Sequence, residues 1–127
     1  MNDAAKAVLR KNRTSSHEMM MELHWLPVKA RIEYKLCLLL HSYFDGSMPT
    51  YLTNLLRLYA PSRSLRSSAD TRRFVVPVSR LRVGERAFSV CGPKTWNALP
   101  QSIREIEEKA CFKRQLKTYY FDTFLNA

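Results

Sequence analysis

Apolar residues recur at helical spacing in residues 1–60. A short helix is expected over about residues 2–11, and a second is expected over residues 17–23. Pro27 then favours the first turn of a longer helix, because its missing N–H costs nothing there. Gly46 can supply the left-handed residue that ends this helix. Residues 1–60 are therefore predicted to form the helical half of the molecule.

Within the long helix, the spacing of apolar residues predicts one buried face. The residues recur every three or four positions, which is the repeat of a single helix side. Cys37, Leu38 and Leu40 widen this stripe almost all the way round, so the helix is expected to lie at the centre of the core. Another helix is predicted to open at Pro49. The predicted buried face comprises Val28, Ile32, Leu36, Leu39 and Tyr43.

The middle of the chain has a different pattern. Residues 61–73 are rich in Ser and Arg and predict an extended loop. A short β-hairpin is expected over about residues 73–84, which Pro77 would limit to a sheet edge. Residues 61–86 would thus be a basic loop and hairpin, and residues 87–127 short turns followed by a C-terminal helix. The predicted fold class is mainly α, a small helical domain with a short β-hairpin and an Arg/Ser-rich loop in the middle.

Aromatic residues are expected to anchor the core. Trp25 and Trp96 lie in apolar turns next to proline, and both are interpreted as core anchors rather than as platforms for base stacking. The C-terminal helix is expected to carry Phe112, Leu116, Tyr119, Tyr120 and Phe124 on its inner side.

Length and cysteine content narrow the class of protein. A chain of 127 residues fits one domain, residues 1–127. Cys37, Cys91 and Cys111 are odd in number and widely spaced, which favours a reduced intracellular chain, nuclear or cytoplasmic. No apolar run approaches the roughly 20 residues that cross a bilayer, so no membrane partner is expected.

Positive charge is concentrated in the middle of the chain. The sequence holds 21 Lys and Arg against 11 Asp and Glu, and eight of the basic residues, all arginine, lie in residues 57–86. Arginine binds phosphate through a planar fork, and such clusters are typical of nucleic-acid binders. A solvated surface that keeps the chain soluble is the alternative. The predicted nucleic-acid-binding residues are Arg63, Arg66, Arg72, Arg73, Arg80, Arg82 and Arg86, with Arg63 and Arg66 the strongest candidates.

Residues that could carry catalysis are sparse. No aromatic-x-Asp-Asp sequence occurs, although polymerases need paired carboxylates for their metal ions. His17, His24 and His41 lack zinc spacing with any cysteine. Cys37 and His41 have the i, i+4 spacing of a nucleophile pair, but a thiol on an apolar helix is usually inert packing. We therefore expect no enzyme activity, no metal, no cofactor and no small-molecule substrate.

Six sequence blocks follow one another over nearly the whole chain. They are NDAA (residues 2–5), LHWLPVKARIEYKL (23–36), PTYLTNLL (49–56), PSRSLRSS (61–68), RAFSVCGPKTWNALPQSIR (86–104) and FKRQLKTYYF (112–121). In this order they resemble the C-terminal region, downstream of the polymerase thumb, of a non-LTR retrotransposon (long interspersed element) endonuclease/reverse-transcriptase polyprotein.

The resemblance implies a role beside a polymerase. In such polyproteins an apurinic-type endonuclease and a reverse transcriptase lie upstream and copy element RNA at a nicked target site. The matching region lies beyond the catalytic aspartates, where it can grip RNA or an RNA–DNA duplex, and the upstream polymerase domain is a further expected partner. The expected function is a nucleic-acid-binding accessory module without catalytic activity. The alternatives are a protein-interaction module and a non-functional truncated remnant of the element.

Overall fold

The described residues form a mainly helical fold, as predicted. The structure is a computed structural model that describes residues 2–9, 15–60 and 72–125. In chain order the helices are α1 (Asn2–Leu9), α2 (Ser16–Leu23), α3 (Val28–Asp45), α4 (Thr50–Thr53), α5 (Arg82–Glu85), α6 (Phe88–Asn97), α7 (Gln101–Arg104) and α8 (Lys109–Phe124). None of these helices is long and apolar enough to span a membrane. The predicted Arg/Ser-rich loop lies largely outside the described residues.

Helix α3 is the centre of the fold and packs against α6 and α8. Pro27 precedes its first residue, and Gly46 ends it with φ of 79°, where its N–H donates to the carbonyl oxygen of Ser42. This is the left-handed C-terminal residue that glycine adopts without steric cost. Both predicted ends of the long helix are confirmed.

The predicted buried face of α3 is wrong at its N-terminal end, whereas Leu39 and Tyr43 pack, partly buried, against the core. Ala30, Cys37 and Leu40 are fully buried, whereas Val28 and Ile32 are 56% and 57% exposed. Because α3 has apolar residues on several sides, their spacing alone does not show which side α6 and α8 cover. Val28, Ile32, Leu36 and Leu39 line a shallow apolar groove on the surface of α3 together with Arg31 and Lys35. Tyr43 instead packs edge-on against Phe74, with ring centroids 5.2 Å apart.

Helix α6 forms where short turns were predicted. Gly92 and Pro93 lie inside it, although an interior proline costs a helix about 3 kcal/mol. Gly92 is buried where α6 meets α3, and a Cβ there would lie 3.5 Å from the Leu40 side chain, in ordinary van der Waals contact. Trp96 is fully buried in the same interface, which confirms it as a core anchor. This packing outweighs the local preference for a break.

A chain of aromatic rings links the second half of the molecule to α3. The ring centroid of Trp96 lies 6.1 Å from that of Phe74 and 5.7 Å from that of Phe112. His41 on α3 stacks on Phe112 at 4.3 Å, and its Nε2 donates to the carbonyl oxygen of Ile106 over 2.8 Å. On α8 the buried residues are Phe112, Leu116 and Tyr120, as predicted, with Tyr119 and Phe124 partly buried beside them.

The predicted β-hairpin over residues 73–84 is not confirmed. Part of this segment is the helix α5, and Val78 is 96% exposed. A hairpin there would have no apolar surface to cover, and Pro77 could not donate a ladder hydrogen bond. Among the described residues the β-pairing is an antiparallel bridge between Leu58 and Phe74.

That bridge joins the end of the helical half to the segment after the loop. The N–H of Tyr59 donates to the carbonyl oxygen of Arg73, and the N–H of Val75 donates to that of Arg57, both over 2.8 Å. Phe74, between these bonds, is 2% exposed and packs into the aromatic core. The bridge therefore positions Phe74, from the middle of the chain, in the core.

A matched pair of substitutions on α3 tests which face is buried. Leu40→Ala should lower the free energy of unfolding by about 2–5 kcal/mol, because it leaves a cavity between helices. Ile32→Ala should lower it by less than about 1 kcal/mol, because that side chain is mostly exposed. Chemical denaturation of the two variants measures both values. A larger loss for Ile32→Ala would contradict the assignment of the faces.

Candidate nucleic-acid interface

The predicted arginines divide into structural and surface residues. Arg63 and Arg66 lie outside the described residues. Arg73 and Arg80 are exposed in the segment that follows, and Arg82 and Arg86 are exposed at α5. Arg72 differs from these four, because it is only partly exposed and is held by several contacts.

The side chain of Arg72 has a structural role at the edge of the core. Its Cζ lies 4.7 Å from the ring centroid of Phe44, and its Nη1 donates to the carbonyl oxygen of Arg104 over 3.4 Å. Its Nη2 lies 3.6 Å from Oε1 of Glu107, and its side chain is 18% exposed. A phosphate could use this guanidinium only by breaking these contacts.

Arg82 and Arg86 meet in a cleft between α5 and α6. The helical turn of α5 puts them at i and i+4, so they lie on one side of it. Lys94 comes from α6 and lines the same cleft, which has a volume of about 360 Å³. Glu85 is the one acidic residue among those that line it. Three cations against one carboxylate make this cleft suited to binding phosphate.

Local contacts hold this turn in place. The Ser79 hydroxyl donates to the carbonyl oxygen of Leu81 over 3.0 Å, and a Cβ on Gly84 would collide with that hydroxyl. The Cys91 thiol donates to the carbonyl oxygen of Arg86 over 3.6 Å, which ties the end of α5 to α6. A larger residue at position 84 would therefore move the Ser79 side chain and disturb its hydrogen bond to Leu81.

An aromatic cleft adjoins the basic one. Lys94 and Thr95 line both, and the second cleft, of about 270 Å³, is also lined by Tyr119 and Phe124 of α8 and by Glu33. Proteins that bind single strands combine cations for the phosphates with rings on which bases stack. The sequence did not predict Lys94 as a lining residue, because the segment around Gly92 and Pro93 predicted turns. Arg86 ends α5 and Lys94 lies on α6, with Ala87 extended between the two helices, so no spacing in the sequence relates them.

The thiol of Cys37 does not pair with His41. Its Sγ lies 3.4 Å from the hydroxyl oxygen of Tyr120, and both side chains are buried. Burial raises the pKa of Cys37 to about 12, although the hydrogen bond from Tyr120 lowers it and Glu33 raises it further. Burial also raises the pKa of Tyr120. A thiol that stays protonated is a poor nucleophile, so this pair is a packing contact.

A polar cleft of about 320 Å³ lies near the C-terminal end of α3. His41, Asp45 and Glu107 line it, and Nδ1 of His41 is buried without a hydrogen-bond partner among the described residues. Hydrogen bonds from the hydroxyl and N–H of Ser47 lower the pKa of Asp45. Across the described residues, no group of three or more His, Cys, Asp and Glu is placed to hold a metal ion.

Comparison of the chain with protein-family models, with curated proteins and with solved structures finds no match. The function is therefore inferred from the charges, rings and clefts of this chain and from its sequence blocks.

Replacing Arg72 should reduce stability. Arg72→Ala removes the contact with Phe44 and should lower the free energy of unfolding by about 1–2 kcal/mol, the range of a partly desolvated cation–π contact. Its ion pair with the exposed Glu107 should add little. Arg80→Ala is the control and should change stability by less than about 0.5 kcal/mol. Chemical denaturation measures both, and an Arg72→Ala variant as stable as the native chain would contradict the structural role.

Cys37 should resist alkylation in the folded chain. At about pH 8 its thiol stays protonated and buried, whereas Cys91 and Cys111 are partly exposed and should react with iodoacetamide. Mass spectrometry of peptides after timed labelling locates the modified residues. Labelling in denaturant should make all three cysteines reactive. Folded-state labelling of Cys37 as fast as that of Cys111 would contradict the burial of the Cys37–Tyr120 pair.

Proposed function

We propose that this chain is a nucleic-acid-binding module that holds RNA or an RNA–DNA duplex and has no catalytic activity of its own. The cleft between α5 and α6 is the observation that carries the proposal. Arg82, Arg86 and Lys94 converge there from two elements, and one carboxylate opposes them. Three cations held this close repel one another, and a phosphate backbone would relieve that repulsion.

The neighbouring aromatic cleft supports binding of unpaired nucleotides. A strand whose phosphates lie along Lys94 would pass the ring of Tyr119, because the two clefts share Lys94 and Thr95. Stacking on an aromatic ring is tolerant of base identity, since every base has a π-face. The module would then bind with little sequence preference and with strong dependence on salt.

The sequence blocks support the same role. The chain resembles the C-terminal region of non-LTR retrotransposon polyproteins, in which RNA and an RNA–DNA duplex pass close to the polymerase. A binding module beside a polymerase needs contacts to the backbone more than contacts to base edges, because it must accept any sequence. Arginine and lysine in an open cleft suit this task, because each side chain can release one backbone phosphate and bind the next as the strand moves.

Binding across a salt series tests the proposal. Fluorescence anisotropy would follow labelled single-stranded RNA and an RNA–DNA duplex, for the native chain and for the variant Arg82→Ala/Arg86→Ala/Lys94→Ala. Loss of three phosphate contacts should reduce the slope of log K against log salt by about 2 for single-stranded RNA. The affinity should also fall at every salt concentration.

A charge-matched control separates the cleft from net charge. The variant Lys6→Ala/Lys113→Ala/Arg114→Ala removes three exposed cations outside the cleft, so it changes the net charge by the same amount. It should keep a slope close to that of the native chain. Equal losses in the two variants would indicate diffuse attraction by the basic surface, and absence of binding at moderate salt would overturn the proposal.

A further inference from the structure

A separate cleft, formed by residues of both halves of the chain, is lined by cations and aromatic rings. It has a volume of about 350 Å³ and lies at the junction of α2, α3 and α8. None of its lining residues is acidic, and it shares no residue with the basic cleft between α5 and α6. Its cations are Arg31, Lys35 and Lys117, and its rings are His24, Trp25 and Tyr34.

The turn between α2 and α3 fixes two of these rings. His24 adopts a left-handed conformation with φ of 53°, the one residue other than glycine with positive φ in the described part of the chain. Its N–H donates to the carbonyl oxygen of Met21, and the N–H of Trp25 donates to that of Met20 over 2.9 Å, which closes a Schellman turn. The His24 ring also stacks on Phe121 at 5.5 Å. The backbone of Trp25 is therefore held firmly although its side chain is only partly buried.

The expectation that Trp25 is a core anchor is not confirmed, because Trp25 is only partly buried and lies outside the hydrophobic core cluster of the described residues. Trp96 is fully buried and donates its Nε1–H to a carbonyl, whereas Trp25 keeps part of its indole exposed in the cleft. The Cζ of Arg31 lies 6.0 Å from the Trp25 ring centroid. A partly exposed indole beside a cation suits the stacking of a nucleic-acid base.

The cations in the cleft come from two helices. Arg31 and Lys35 are at i and i+4 on α3, so they project from the same side, and Lys117 reaches the cleft from α8. All three side chains are exposed, so an anion can reach them without displacing core residues. With no carboxylate lining the cleft, their mutual repulsion is not neutralised locally, and an anion is the ligand that the cleft favours.

We propose that this cleft binds one nucleotide unit, with the base against Trp25 and the phosphate held by Arg31, Lys35 and Lys117. The volume lies in the range of small-molecule sites. A bare anion would use the cations and leave the indole unused, whereas a nucleotide uses both. The nucleotide can be free, which makes this site independent of the proposed function, or it can be an unpaired residue of a bound strand, in which case the site extends that function.

Titration with nucleotides tests the site. The native chain would be titrated with 5′-mononucleotides, with a short single-stranded RNA and with inorganic phosphate, and binding would be followed by calorimetry and by quenching of tryptophan fluorescence. Saturable binding of the mononucleotide or of the strand, with quenching, is expected. Trp25→Leu should weaken it at least about fivefold and abolish most of the quenching, since a stacked base contributes this much.

Two further variants test the cleft without changing Trp25, in case Trp25→Leu folds poorly. Arg31→Ala/Lys35→Ala removes exposed cations only, so the fold should persist, and binding should weaken about tenfold or more. The matched control is Lys113→Ala/Arg114→Ala, which should bind like the native chain. Equal binding by all of these variants, or competition by inorganic phosphate as strong as that by the nucleotide, would overturn the proposal.

A variant of the basic cleft between α5 and α6 distinguishes failure of the nucleotide site from failure of the proposed function. The variant Arg82→Ala/Arg86→Ala/Lys94→Ala should keep its mononucleotide binding, because it leaves the Trp25 cleft intact. One outcome is that this variant binds the mononucleotide like the native chain while the salt series shows no role for the basic cleft in strand binding. That pair of results would support the nucleotide site and reject the proposed strand-binding cleft. Loss of strand affinity in this variant, without any effect of Trp25→Leu on either ligand, would reject the nucleotide site alone.

Discussion

The carbonyl oxygen of Arg72 joins the middle of the chain to the helical core. It accepts hydrogen bonds from Nε1 of Trp96 over 2.8 Å and from Nη1 of Arg104 over 3.4 Å. The last residue of α6 continues the contact: the side-chain amide of Asn97 accepts from the N–H of Phe74 and donates to its carbonyl oxygen. Buried polar groups need such partners, so these bonds fix where Phe74 enters the aromatic core.

Because of these bonds at Arg72 and Phe74, some arginines are buried or partly buried and others are exposed. Arg104 is 2% exposed and also donates to the carbonyl oxygen of Leu99, so a buried positive charge is stabilised by backbone oxygens. Arg72 lies across Phe44 beside it. Arg82 and Arg86, a short distance further along the chain, are left on the surface. Residues of one type therefore serve packing at one end of the basic segment and can meet a ligand at the other.

Helix ends could be predicted from the sequence more reliably than packing. The limits of α3 follow from the local chemistry of Pro27 and Gly46, which needs no knowledge of neighbours. The covered side of α3 depends on α6 and α8, and the apolar repeat does not contain that information. Pro93 was misleading for the same reason, since its local cost is smaller than the gain from burying Trp96. Charge alone singled out Arg82 and Arg86, but not their arrangement, because a helical turn rather than the predicted strand places them side by side.

The antiparallel bridge between Leu58 and Phe74 affects which insertions and deletions the chain can accept. It holds together the two ends from which the Ser/Arg-rich segment departs, so the helices on either side do not depend on the length of that segment. Insertions and deletions between residues 60 and 72 should therefore leave the bridge and the helices on either side in place, so the basic content of this segment can vary while the helical core stays the same.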